Sequence, residues 1–201
     1  VPITDFEISL STLRYIHENS KGKIIFDAHG ATTSMDVRGH RHRKFWVDRD
    51  EWLPYIDVLK MNLEESQCMW FNNEYEGDIP SIYDENQTGH LDELAEHVLD
   101  KGVSFFYVTM DSRGCILYHK NGDMTAKEWI ASVPVAKVVD TTGCGDSFAG
   151  GLAYGFAKYN DPIKAGQFAN ILGARRTQGK NWDVFKNAEE TEKIRIENYD
   201  L

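Results

Sequence analysis

Residues 138–156 read VVDTTGCGDSFAGGLAYGF. Two valines run into Asp140, two threonines and a Gly-Cys-Gly turn follow, and Asp146 opens a small-residue stretch that has helical character. If Gly143-Cys144-Gly145-Asp146 form the first turn of a helix, their amides have no intrahelical acceptor and sit at the positive end of the dipole. Such a turn attracts anions, phosphate above all. A carboxylate in the same turn repels an anion but can accept the proton of a hydroxyl held beside it. A base next to an anion hole is what phosphoryl transfer to an alcohol requires. The competing reading is a glycine-rich turn in which Asp146 only caps the helix. Two other phosphate motifs are excluded. The chain has no GxxxxGK[ST], and Phe148 stands where GxGxxG needs its third glycine.

Outward from this stretch, buried strands and helices alternate. Ile8, Leu10, Leu13 and Ile16 mark an amphipathic helix that ends at Lys21-Gly22-Lys23. KIIFDAHG (23–30) reads as a strand ending at Asp27, followed by a polar, basic loop. DEWLPYIDVLKMNLEES (50–66) reads as a helix, a short strand over 56–59 and a loop holding Asn62 and Glu65. Residues 72–90 read as an acidic surface insertion. HLDELAEHVLDKG (90–102) is a helix closed by Gly102, and VSFFYVTMD (103–111) is strand-like. GCILYHKNGD (114–123) has the Asn-Gly of a hairpin, VAKVVD (135–140) reads as a strand, and two helices and a polar tail complete the chain. This pattern predicts one α/β domain over 1–201 with a mostly parallel sheet. The loops after Asp27, Leu59, Val108 and Val139 would gather at the carboxyl edge, where ligands sit in such folds.

Composition sets limits. The chain is 201 residues long, 41% hydrophobic and 27% charged, which fits a soluble globular protein. A net charge of −10 argues against nonspecific nucleic-acid or acidic-membrane binding. No apolar run approaches the roughly 20 residues of a membrane span, and no signal peptide is visible. Cys68, Cys115 and Cys144 are odd in number and widely spaced, which suggests a reducing cytoplasm rather than a disulfide framework. The chain opens Val1-Pro2 rather than on methionine, as a processed product or part of a longer protein would.

VVDTTGCGDSFAGG closely resembles the DTxGxGDxF signature of the PfkB, or ribokinase-like, carbohydrate kinases. Three weaker matches follow the family's order: FDAHG (26–30) where members end a strand in Asp-Pro-Asn, Asn62 to Glu65 as NxxE, and VTMDSRGCILY (108–118) as the nucleotide-loop segment. The resemblance runs from about residue 5 to about residue 180 and implies a ribokinase-like three-layer α/β/α fold. It implies an ATP- and Mg²⁺-dependent kinase acting on a sugar or sugar-like alcohol, with Asp146 as base and Gly143, Cys144 and Gly145 as anion hole. It further implies that Asn62 and Glu65 organise Mg²⁺ through water, and that Thr109, Asp111, Gly114 and Asn170 lie by the nucleotide. Asp140 and Thr142 stand where many members hold a monovalent cation, often K⁺. The chain departs from the pattern at Cys144 (usually alanine or glycine), at Asp111 (usually glycine) and at Ala28-His29 (usually Pro-Asn). Members run to about 300 residues, and nothing here resembles the N-terminal part that supplies sugar-binding residues and a β-lid, often the homodimer contact.

Other features read as structural. Arg38 to Lys44 is a solvated basic loop rather than a nucleic-acid patch, and His40 and His42 lack a third metal ligand nearby. Trp46, Trp52, Trp70 and the Phe105-Phe106-Tyr107 run read as core, while Glu74, Glu76 and Asp78 read as solvated. Against the kinase stand two alternatives. One is a non-catalytic ribokinase-like binding or regulatory protein, which Asp111 and the absent N-terminal part favour. The other is a Rossmann-type nucleotide-binding enzyme.

Overall fold

A computed structural model describes residues 8–71 and 84–200. Most of the acidic stretch expected over 72–90, with Glu74, Glu76 and Asp78, lies outside the described residues. In chain order the strands are β1 Ile25–Asp27, β2 Thr33–Met35, β3 Arg41–Arg43, β4 Val58–Asn62, β5 Phe105–Thr109, β6 Gly114–Asn121 and β7 Met124–Ala131. The helices are α1 Leu10–Asn19, α2 Arg49–Trp52, α3 Leu63–Trp70, α4 Leu91–Asp100, α5 Cys144–Tyr159, α6 Pro162–Arg176 and α7 Ala188–Tyr199. Five strands form a sheet in the order β1-β4-β5-β6-β7, and β2 pairs with β3 in a small antiparallel ribbon. The chain divides into two compact units, Val1–Val108 with Tyr118–Ala126, and Thr109–Leu117 with Lys127–Leu201.

In the first unit, β1 and β4 run parallel with Asp27 opposite Lys60. Their residues Phe26, Val58, Leu59 and Met61 are buried, as continuous apolar runs in a parallel sheet should be. Trp46 and Trp52 pack on Phe26. Helix α4 buries Leu91, Leu94, Ala95, Val98 and Leu99, the i, i+3, i+4 stripe of an amphipathic helix. Gly102 follows it at φ 110°. The basic loop is in part an ordered ribbon, with Thr33 opposite Arg43. Arg43 folds inward onto Glu64 and Glu65, so it is not a solvated charge.

In the second unit, α5 and α6 pack at close range. A Cβ on Gly151 would lie 2.6 Å from Ala169 Cα, and one on Gly155 would lie 2.6 Å from Ala165 Cα. Helix α6 opens cleanly: Asp161 caps the Ile163 and Lys164 amides and Pro162 takes the first position. The strand expected over 135–140 does not form. Val138 and Val139 are exposed, and the amides of Val139 and Asp140 donate to the Thr177 carbonyl after α6 instead of to a neighbouring strand. The polar tail is not irregular but holds α7, whose Tyr199 hydroxyl donates to the Ala131 carbonyl at 2.6 Å.

Candidate active site

The second unit holds the signature. Gly143 caps α5 in the left-handed region, φ 81° and ψ 9°, a conformation costly for any residue with a Cβ. This turn swings the following amides toward the helix N-terminus. The Cys144 amide donates to the Thr141 carbonyl at 3.2 Å, and Ser147 closes the first turn on the Gly143 carbonyl at 3.0 Å. Among the described residues, the amides of Gly143 and Gly145 have no acceptor. The expected three-amide hole is therefore, in this structure, a pair of unspent glycine amides with Cys144 fixing the turn.

Asp146 is exposed and makes no hydrogen bond or ion pair among the described residues. It does not cap α5, since no side chain caps that helix. Burial pushes the Cys144 thiol up, against the pull of Arg176, so its sulfur is protonated at neutral pH.

Asp140 turns back on its own loop. Its Oδ1 accepts the Thr142 amide at 2.9 Å. That bond and the Thr142 hydroxyl hold the carboxyl below its usual range, helped by the charges of Arg176 and Lys180. The pair expected to hold a monovalent cation is thus bonded to itself and has Arg176 and Lys180 as cationic neighbours.

The nucleotide-loop segment is a tight turn between β5 and β6. Asp111 takes φ 51°, a left-handed backbone, and Asp is among the few residues other than glycine that tolerate it. The Met110 amide donates to the Gly114 carbonyl at 2.8 Å. Gly114 is buried at φ 105°, and a Cβ there would sit 2.2 Å from the Ile130 carbonyl oxygen. Thr109 ends β5 at the entrance to this turn. Asn170, expected by the nucleotide, is buried in the second unit. It is 6% exposed and its Nδ2 donates to the carbonyls of Ile130 (3.0 Å) and Ala131 (3.2 Å). Its amide hydrogens are spent on stitching α6 to the end of β7.

The first unit holds Asn62 and Glu65, which are not in a loop. Asn62 ends β4 and caps α3, and Glu65 is in the first turn of that helix. The two form a reciprocal capping box. The side chain of Glu65 is 1% exposed and its oxygens are committed: Oε2 accepts the Asn62 amide at 2.8 Å, and Oε1 lies 3.0 Å from His29 Nδ1 and 3.5 Å from Arg43 Nη1. Burial alone would raise this carboxyl. Lys60, the His29 hydrogen bond and Arg43 overcome it and hold the group at about 2. Lys60 also pairs with Asp27 at 3.0 Å. Both oxygens are engaged by protein groups, so neither is open to ligate a metal directly. Among the described residues no group of three His, Cys, Asp or Glu side chains forms a metal cage.

Sequence reasoning missed three charges: Arg176 by Gly143, and the inward Lys60 and Arg43. The basic run around Arg43 hinted at one of them. Nothing local marks Arg176.

Comparison with known proteins bears on the family and the fold. Residues 21–182 match the pfkB family carbohydrate kinases. A sugar kinase of Archaeoglobus fulgidus is 35% identical over 82 residues, 40% of this chain and 30% of that protein. Ribokinase from Thermotoga maritima superposes with a TM-score of 0.69 at 23% identity, over 97% of this chain and 56% of its own. A ribokinase from Arabidopsis thaliana, complexed with ribose and ATP, gives 0.65 at 19% identity, over 92% and 51%. The fold is ribokinase-like α/β, and the chain belongs to the pfkB family of carbohydrate kinases. It spans about half the length of these solved ribokinases and less than a third of the Archaeoglobus relative. Among the described residues no helix is long and apolar enough to cross a membrane.

Proposed function

We propose that this chain carries the phosphoryl-transfer machinery of a carbohydrate kinase that moves the terminal phosphoryl group of ATP to a hydroxyl of a sugar or sugar-like alcohol. The observation that carries this reading is the unspent Asp146 carboxylate beside the unspent Gly143 and Gly145 amides at the start of α5. Asp146 accepts the hydroxyl proton as the alcohol oxygen bonds to the terminal phosphorus. The bond from that phosphorus to the bridging oxygen breaks, and ADP leaves with the electron pair. The glycine amides hold the negative charge that the transferred oxygens carry, and being fixed they need no reorganisation as it develops. Thr109, Asp111 and Gly114 shape the nucleotide turn, with Asp111 supplying backbone conformation.

Family membership supports the reaction class, and the Arabidopsis ribokinase bound to ribose and ATP supports the choice of donor and acceptor. Magnesium enters with the nucleotide as part of the substrate. Asn62 and Glu65 act by fixing the start of α3.

The test is Asp146→Asn in the protein at its natural full length, assayed with ATP against a panel of sugars and polyols. The amide keeps shape and loses basicity. The turnover number should fall by about 10²–10⁴-fold with ATP affinity retained. Unchanged turnover would sink the assignment.

A further inference from the structure

Arg176, the last residue of α6, reaches back over the start of α5. The point where a Cβ on Gly143 would lie is 3.3 Å from Arg176 Nε, 4.0 Å from Nη2, and 3.9 Å from Oδ2 of Asp146. The guanidinium is anchored from the far side, where Nη1 donates to the Gly179 carbonyl. This leaves Nε and Nη2 uncommitted. Among the described residues Arg176 has no carboxylate within ion-pair distance, and it is half-buried. A guanidinium partly withdrawn from water with two uncommitted donors is free to bind an anion. Its surroundings are otherwise acidic. Asp140 and Asp111 act electrostatically on Cys144 alongside it, and Asp146 stands across Gly143. These carboxylates alone would repel a polyphosphate from the two glycine amides.

We propose that Arg176 is a donor-phosphate contact of this kinase, its Nε and Nη2 binding the phosphate oxygens that the Gly143 and Gly145 amides face. The assignment rests on the kinase reading above and adds a residue to that site. The chemistry suits the position. A guanidinium presents donors in a rigid fork that matches two phosphate oxygens, and the Gly179 carbonyl holds that fork in place before the ligand arrives. Glycine at 143 is then required twice, for its left-handed backbone and because a methyl group would press on the guanidinium. Lys180, exposed just beyond, adds a second positive charge toward Asp140. The class of ligand recognised is a nucleoside triphosphate through its phosphates, not through its base.

The experiment uses the natural full-length protein. Phenylglyoxal modification of Arg176, followed by peptide mass spectrometry, is measured alone and with ATP, inorganic pyrophosphate or adenosine. ATP and pyrophosphate should protect Arg176, and adenosine should not. In parallel, calorimetry should show Arg176→Gln weakening ATP binding by about 10–100-fold, the value of a charge-assisted hydrogen bond, with Arg176→Lys intermediate. If ATP binds the wild-type protein but leaves Arg176 fully reactive, the assignment falls and the kinase reading stands. ATP affinity within twofold of wild type in a folded Arg176→Gln overturns the assignment in the same way. If the wild-type protein binds no ATP at all, both fall. Should the glutamine variant fail to fold, the labelling of the wild-type protein decides alone.

Discussion

Asn62 and Glu65 lock one another at the start of α3: Asn62 Oδ1 accepts the Glu65 amide at 2.7 Å while Glu65 Oε2 accepts the Asn62 amide at 2.8 Å. The bond pair satisfies two donors that the helix itself cannot. Asn62→Ala should cost about 1–2 kcal/mol of stability. At this chain length that lowers the melting temperature by about 2–8 °C. Thermal unfolding followed by circular dichroism checks it. Asn62→Asp, which keeps an accepting oxygen, should recover much of the loss.

Acid should lower the stability of the protein over two pH ranges. His90 is buried against Ser66, and burial lowers its pKa from 6.5 to about 4. The unfolded chain therefore takes up the His90 proton first, and this contribution, complete above about 6.5, is lost as the pH falls toward about 4. Glu65, with its pKa at about 2 in place of 4.5, contributes stability that is complete above about 4.5 and is lost as the pH falls toward about 2. Glu65→Gln should be less stable at neutral pH, because Lys60 and Arg43 lose one of their two countercharges, Asp27 and Glu64 remaining. It should also show a shallower decline below pH of about 4.5. Denaturant midpoints measured across pH report both slopes, and parallel curves for the two proteins would contradict the assignment.

Gly114→Ala should be among the most damaging single-methyl changes in the chain. The new Cβ would lie 2.2 Å from the Ile130 carbonyl oxygen and 2.6 Å from the Ser132 amide nitrogen, both backbone, at a φ of 105°. Neither neighbour can rotate away, so overpacking and backbone strain combine to about 3 kcal/mol or more. Urea unfolding measures this. Gly150→Ala, on the exposed side of α5 with nothing within 4 Å, is the control and should be neutral or stabilising.

Cys144→Ala should leave turnover within about twofold of wild type. The residue contributes through its amide, which donates to the Thr141 carbonyl and holds the turn, and alanine keeps that bond. The same geometry predicts slow alkylation of Cys144 by iodoacetamide at neutral pH, because its thiol is held protonated. Matched kinetics and labelling rates test both halves.

Much of this protein could be read from its residues in order. The helix from Cys144 to Tyr159, its Gly143 turn and the exposed Asp146 follow from local rules: glycine for a left-handed cap, small residues for close packing, free amides at a helix start. The buried stripe of α4 and the hairpin around Gly122 are equally local. Residues 135–140 read as a strand because valines favour extended backbone, yet a strand needs a partner. The Thr177 carbonyl, brought there by α6, takes the amides of Val139 and Asp140 instead. Asn170 had the polarity of a ligand contact. Its burial beneath the end of β7 turned it into a structural tie. Glu65 had the chemistry of a metal ligand, but a histidine and an arginine from earlier in the chain engaged one of its oxygens and the Asn62 amide took the other.

Local sequence determined backbone conformation and the donors and acceptors each segment offers, since these depend on neighbours a few residues apart. Only the tertiary structure decided which offers were already taken, because a hydrogen bond or an ion pair consumes a group regardless of how far along the chain its partner lies. That is why Asp146 remained available, Glu65 did not, and Arg176 came to stand beside Gly143.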